Sequence, residues 1–195
     1  IKGPLAIIVS RLTSQKGMDL IADAAGDFIA AGGGLAILGS GDPVIEDSMR
    51  ILARNHAGKV GLRIGYDEAL SHRMFGGADI VLVPSRFEPC GLTQLYGLRY
   101  GTVPVVAATG GLADSVIDAN VMALNAGVAT GFQFHPIDGM AFRHCLRNVA
   151  SLFADKPNWT RLQKRGMTQE LGWSASSATY ATLYESVIRE FSSTA

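Results

Sequence analysis

The sequence predicts an α/β fold, a doubly wound parallel sheet of about six strands with a helical C-terminal tail, and three observations carry that prediction. Short apolar runs ending in small or turn-forming residues alternate with longer segments of helical period. The last third of the chain changes character and reads as helix without an intervening strand. The 195 residues are 48% apolar, enough for a substantial core in a chain of single-domain length.

Strands are expected over residues 5–10, 35–39, 60–64, 79–84 and 103–107, with a weaker sixth over 131–134. Most are runs rich in Val, Ile, Leu or Ala with turn-forming residues nearby, the pattern of strands covered on both faces. Between them, residues 18–31, 43–57, 68–76 and 92–100 carry the spaced apolar positions of helices packed on a sheet. Gly32, Gly33 and Gly34 end the first helix and turn the chain into the second strand. Helical segments over 140–153, 159–167 and 175–191 close the chain. The expected division is a Rossmann-like domain over residues 1–170 and a helical tail over 171–195.

Seventeen basic residues balance seventeen acidic ones, so no global field draws the surface to nucleic acid or anionic lipid, and any anion site must be local. Cys90 and Cys145 lie far apart in an ordinary composition, which points to reduced thiols and a cytoplasmic protein. The longest apolar stretches, such as residues 5–9 and 80–83, are far short of the roughly 20 needed for a membrane helix. The chain opens Ile1-Lys2-Gly3-Pro4 with no initiator Met and no signal segment, and reads as an excised piece of a longer protein.

In an open parallel sheet, ligands gather outside the carboxyl ends of the strands, so the segments after each strand carry the functional reading. After the first strand, Ser10-Arg11-Leu12-Thr13-Ser14-Gln15-Lys16-Gly17 places two cations in one loop. They can clamp a diphosphate, Arg as a planar fork and Lys as a mobile point charge, or be solvated loop cations. After the second, Gly39-Ser40-Gly41-Asp42-Pro43 either admits a ligand to the backbone or makes a tight turn, with Pro43 suited to the first helical position. Val44 in the third glycine position, and no acidic residue well placed to end the next strand, disfavour a dinucleotide-dependent dehydrogenase.

After the third strand, Tyr66 presents an aromatic ring at the crevice edge, for stacking on a base or for packing. After the fourth, Pro84-Ser85-Arg86-Phe87-Glu88-Pro89-Cys90-Gly91-Leu92-Thr93 runs into a helix whose first amides face the crevice. Glu88 there can accept hydrogen bonds from sugar hydroxyls or cap the helix electrostatically. After the fifth, Thr109-Gly110-Gly111-Leu112 brings backbone close to a ligand or to a neighbouring helix. His56, His72, His135 and His144 fall at no metal-ligand spacing, so no metal site is expected.

Taken in order, Ser10-Arg11-Leu12-Thr13 with Gln15-Lys16-Gly17, Leu38-Gly39-Ser40-Gly41-Asp42-Pro43, Gly65-Tyr66, Pro84 to Gln94 and Thr109 to Leu112 resemble the C-terminal domain of bacterial glycogen synthases and plant starch synthases. The match runs from Val9 to at least Ser115, and Trp173-Ser174 in a helical tail is similar to the family's end. The resemblance implies one half of a GT-B architecture, in which two Rossmann-like domains face each other across a cleft. It implies ADP-glucose as donor, ADP as product, an α-1,4-glucan as acceptor, and no cofactor or metal. By position, Arg11 and Lys16 would hold the ADP phosphates, Tyr66 would stack on adenine and Glu88 would bind the transferred glucose. The backbone of Cys90, Gly91, Leu92 and Thr93 would meet phosphate and sugar, with Gly39, Gly41, Thr109, Gly110 and Gly111 also at the donor.

Two positions depart from relatives. Tyr96 stands where many related retaining transferases place a second glutamate, which members with the Pro-Cys-Gly-Leu string also lack, and Ala108 stands where several bacterial members carry Arg. The family's N-terminal domain, with its Lys-x-Gly-Gly loop and a His near the sugar, has no counterpart here. A stand-alone nucleotide-binding or regulatory module of the same fold remains the second reading. About 250 upstream residues forming a second Rossmann-like domain would distinguish the two.

Overall fold

The computed structural model describes residues 1–193. Six strands, β1 (Leu5–Val9), β2 (Gly34–Gly39), β3 (Val60–Ile64), β4 (Ile80–Val83), β5 (Val103–Ala107) and β6 (Phe132–Phe134), form a sheet in the order β3-β2-β1-β4-β5-β6. Every neighbouring pair is parallel. The order reverses between β1 and β4, which pair through Ala6 with Ile80 and Ile7 with Val81.

Side-chain alternation divides the core between the two faces of the sheet. Ala6, Ile8, Ile80, Leu82, Val103 and Val105 face one cluster, with residues of α1 (Met18–Ala30), α2 (Pro43–Asn55), α7 (Gly139–Ala154) and α8 (Lys156–Met167). Ile7, Val81, Val83 and Val106 face the other, with Phe75 of α3 (Glu68–Gly77) and Leu112 of α5 (Gly110–Ser115). The continuous apolar reading of the strands has this cause: both faces are covered.

Helix starts follow local chemistry. Pro43 opens α2, and the Asp42 side chain accepts from the Val44 amide, closing an orphan donor of the first turn. Asp67 does the same for α3 through Leu70 N, and Asp138 for α7 through Ala141 N. Gly17, in the left-handed region at φ 71°, precedes α1 after a single 3₁₀ turn at Ser14–Lys16.

The predicted elements are present with end shifts of at most three residues, and β3 and β5 have the expected bounds. Two short helices, α5 and α6 (Val121–Ala126), were not foreseen, because six residues are too few to display a helical period. The closing helix α9 (Trp173–Ser193) starts two residues earlier than expected and exposes Trp173, Tyr180, Leu183, Tyr184 and Ile188. No helix among the described residues is long and apolar enough to cross a membrane.

Candidate functional site

β1 and β4 are neighbours at the reversal of strand order, the place where open parallel sheets bind ligands, in the crevice outside the carboxyl ends of their strands. Lys16 lies on the loop after β1 and Glu88 on the loop after β4, and the structure joins them: Lys16 Nζ is ion-paired with Glu88 Oε2. Both side chains are largely buried, at 17% and 13% exposure, so this pair is screened less than a surface pair. Buried Ser85 donates its hydroxyl to the same Glu88 oxygen at 3.2 Å.

The two loops are also fastened by a second set of bonds. Arg86 donates to both carboxylate oxygens of Asp19 at 2.7 and 2.6 Å and to Ser14 O at 2.7 Å, while its backbone amide donates to Gln15 O. The guanidinium hydrogen bond holds the Asp19 carboxyl below its ordinary pKa, and Asp19 in turn raises that of Arg86. Gln15 Nε2 donates to Phe87 O at 3.3 Å.

A Cβ on Gly17 would lie 2.1 Å from Pro84 O, so contact between the loops requires glycine there. On the far side, a Cβ on Gly110 would meet Glu88 O at 2.2 Å and one on Gly111 would meet Cys90 O at 2.4 Å. The Gly111 amide donates to Glu88 O. The Glu88 loop is thus held between the turns that follow β1 and β5.

Gly91, at φ 76°, turns the chain into α4 (Thr93–Tyr100). Leu92 caps that helix without a side-chain hydrogen bond and is exposed, as is Cys90. Buried Gln94 ties the turn from within, donating to Cys90 O, Gly91 O and Ser115 Oγ. Thr109 precedes α5 in extended conformation.

Arg11 and Tyr66 lie apart from the Lys16–Glu88 pair, in a cavity of about 290 Å³ at the ends of β1, β2 and β3, lined also by Ser10, Gly39, Ser40 and Asp67. Tyr66 is 87% exposed, with its hydroxyl donating to Glu68 Oε2 at 3.3 Å. Proximity to the Glu68 carboxylate raises its phenol pKa. Gly39 and Gly41 serve packing between loops: a Cβ would lie 1.9 Å from Ser10 O at one and 2.3 Å from Leu12 O at the other.

The sequence-predicted residues therefore gather at the carboxyl edge of the sheet in two adjoining groups. Lys16 and Glu88 meet at the switch point; Arg11, Gly39 and Tyr66 line the neighbouring cavity. Sequence reasoning gave no role to Ser85, Arg86 or Asp19. Ser85 and Arg86 stand beside Glu88 in the motif, but Asp19 has no local signal, since its partner is 67 positions away.

Comparison with known proteins places these residues in a family context. The model for glycosyl transferases group 1 matches residues 2–156. A glycogen synthase of Cereibacter sphaeroides is 60% identical over 188 residues, and one of Paracoccus denitrificans is 55% identical over 185 residues. These alignments take in 96% and 95% of this chain and 39% of each relative, so the chain spans about two fifths of their length. The catalytic domain of Starch Synthase IV from Arabidopsis thaliana, solved with ADP and acarbose, superposes with a TM-score of 0.87 at 34% identity. That superposition covers 95% of this chain and 38% of the plant protein chain.

Proposed function

The chain belongs to the group 1 glycosyl transferases, and from that premise we propose that it is the donor-binding part of a glycogen synthase. In this reading it holds ADP-glucose while glucose passes, with retention of anomeric configuration, to the 4-hydroxyl of an α-1,4-glucan. The observation that carries the reading is the meeting of Lys16 and Glu88 at the switch point, beside the start of α4 and the cavity of Arg11 and Tyr66.

Breaking the glycosidic bond transfers negative charge to the departing diphosphate. Arg11 and Lys16 neutralise that charge as it grows, and the amides of the Cys90–Thr93 turn that leads into α4 add donors. Glu88 accepts a hydrogen bond from a hydroxyl of the transferred glucose, and its contact with Lys16 keeps sugar and diphosphate sites adjacent. Tyr66 covers adenine, with Gly39 at the cavity wall. The loops held by Gly41, Thr109, Gly110 and Gly111 shape the remainder.

The donor carries the reactive group, and the reading assigns no metal or cofactor. The other wall of the cleft comes from a second GT-B domain that supplies the acceptor site. Exposed Cys90 fits a reducing cytoplasm.

Titration with ADP and UDP tests the reading. ADP should bind more tightly than UDP, and Tyr66→Ala should weaken ADP by roughly 1–2 kcal/mol, the scale of a lost aromatic stack with its buried area. Unchanged ADP affinity together with a lower melting temperature would make Tyr66 a packing residue.

A further inference from the structure

The donor-site reading assigns work to Lys16 and Glu88 but leaves unexplained what fixes their separation, since they sit on loops 72 positions apart in sequence. We propose that Arg86 and Asp19 are positioning residues: their two-point ion pair fastens the loop after β4 to the first turn of α1 and thereby sets the spacing of Glu88 and Lys16. This proposal rests on the donor-site reading.

The connectivity is direct. Arg86 is two residues before Glu88, and Asp19 is three residues after Lys16. Arg86 reaches the Lys16 loop at Ser14 O through its side chain and at Gln15 O through its amide, and reaches the first turn of α1 at the Asp19 carboxylate. The bonds thus bracket Lys16 on both sides. Two parallel bonds between planar groups fix orientation as well as distance, which a single contact does not.

Energy alone does not explain the pair. Its side chains are 40% and 53% exposed, and pairs so exposed add little to stability. Geometry does. In the proposed reaction one end of the breaking bond is held by Glu88 and the other by Lys16. A displacement of about 1 Å between such groups costs on the order of 10²-fold in rate, even where ground-state binding survives.

The test uses the enzyme that contains this chain, with variants Arg86→Lys, Asp19→Asn, Asp19→Glu and the double variant Arg86→Lys/Asp19→Asn. Arg86→Lys and Asp19→Asn should each lower kcat by at least about tenfold, with KM for ADP-glucose within about threefold, the signature of an interaction that matters in the transition state. The double variant should be no worse than the poorer single one, because both changes break one link. Asp19→Glu, which keeps a carboxylate for the guanidinium fork, should stay within about threefold of the parent kcat. Unchanged kcat in both single variants overturns the proposal, as does an activity loss that matches a loss of folded protein in thermal melts. Additive losses in the double variant overturn it too. Lys16→Ala serves as the control for the underlying reading: if it leaves turnover intact, the donor site itself is wrong, whatever the other variants do.

Discussion

A cation and a carboxylate in contact at a leaving-group site have opposite tasks, and the proposed chemistry separates them. Arg11→Ala and Lys16→Ala in the complete enzyme should each reduce turnover on the order of 10²-fold and weaken ADP-glucose binding by less, because the charge they face grows during bond cleavage. Glu88→Gln should reduce turnover while leaving ADP affinity nearly intact, as its proposed partner is the sugar. Steady-state kinetics beside ADP titration decides this: a raised Michaelis constant with unchanged turnover would reduce all three to docking groups. The thiols offer a second test at this scale. Burial, with a contribution from Asp118, pushes the Cys145 thiol from 9.0 up to about 12, whereas Cys90 is exposed. The folded state favours the neutral thiol, so its contribution is complete below about pH 9 and is lost as pH rises towards 12. Near pH 10.5 the loss is roughly 2 kcal/mol at about 1.4 kcal/mol per pH unit, and denaturant titration should show it absent in Cys145→Ala. Disulfide reagents should modify Cys90 in the native protein and reach Cys145 only on unfolding.

At the scale of elements, the chain was readable wherever one short window contained the cause. The apolar strands, the Pro43 and Asp42 start of α2 and the glycines that end α1 each declare themselves within a few residues. The motif that names Glu88 is local too. What stayed hidden is non-local: the Asp19–Arg86 link, the burial of Ser85 and the reason for Gly17, each made by contact between loops far apart in sequence. Gly17 precedes α1 in left-handed conformation, and a second demand falls on it, since its α-carbon faces Pro84 O with no space for a methyl group. Gly17→Ala combines left-handed strain with that overlap and should cost about 2 kcal/mol or more. The same denaturant titration checks it, and an undiminished midpoint would mean that the two loops can part without penalty. Gly58→Ala separates the causes: its φ of 79° resembles that of Gly17, but nothing lies within 4 Å of the added carbon, so only the strain should appear.

At the scale of the whole molecule, the sheet's two faces are covered, so the chain should fold by itself, whereas in the proposed reading it supplies only one wall of the cleft. The relatives are about two and a half times as long, and α9 projects Tyr180, Leu183, Tyr184 and Ile188 towards solvent. Folding and chemistry should therefore separate. The purified chain should unfold cooperatively and bind ADP weakly, because one-sided contact leaves the diphosphate hydrated and the fields of Arg11 and Lys16 screened. It should not elongate a glucan, since no acceptor is held in line and water is not excluded from the reacting bond. Calorimetry with ADP and incorporation of labelled glucose into glycogen measure the two properties on one sample. ADP binding without incorporation is the expected pair of results; measurable synthesis by the chain alone would mean that this domain contains an acceptor site as well as the donor site.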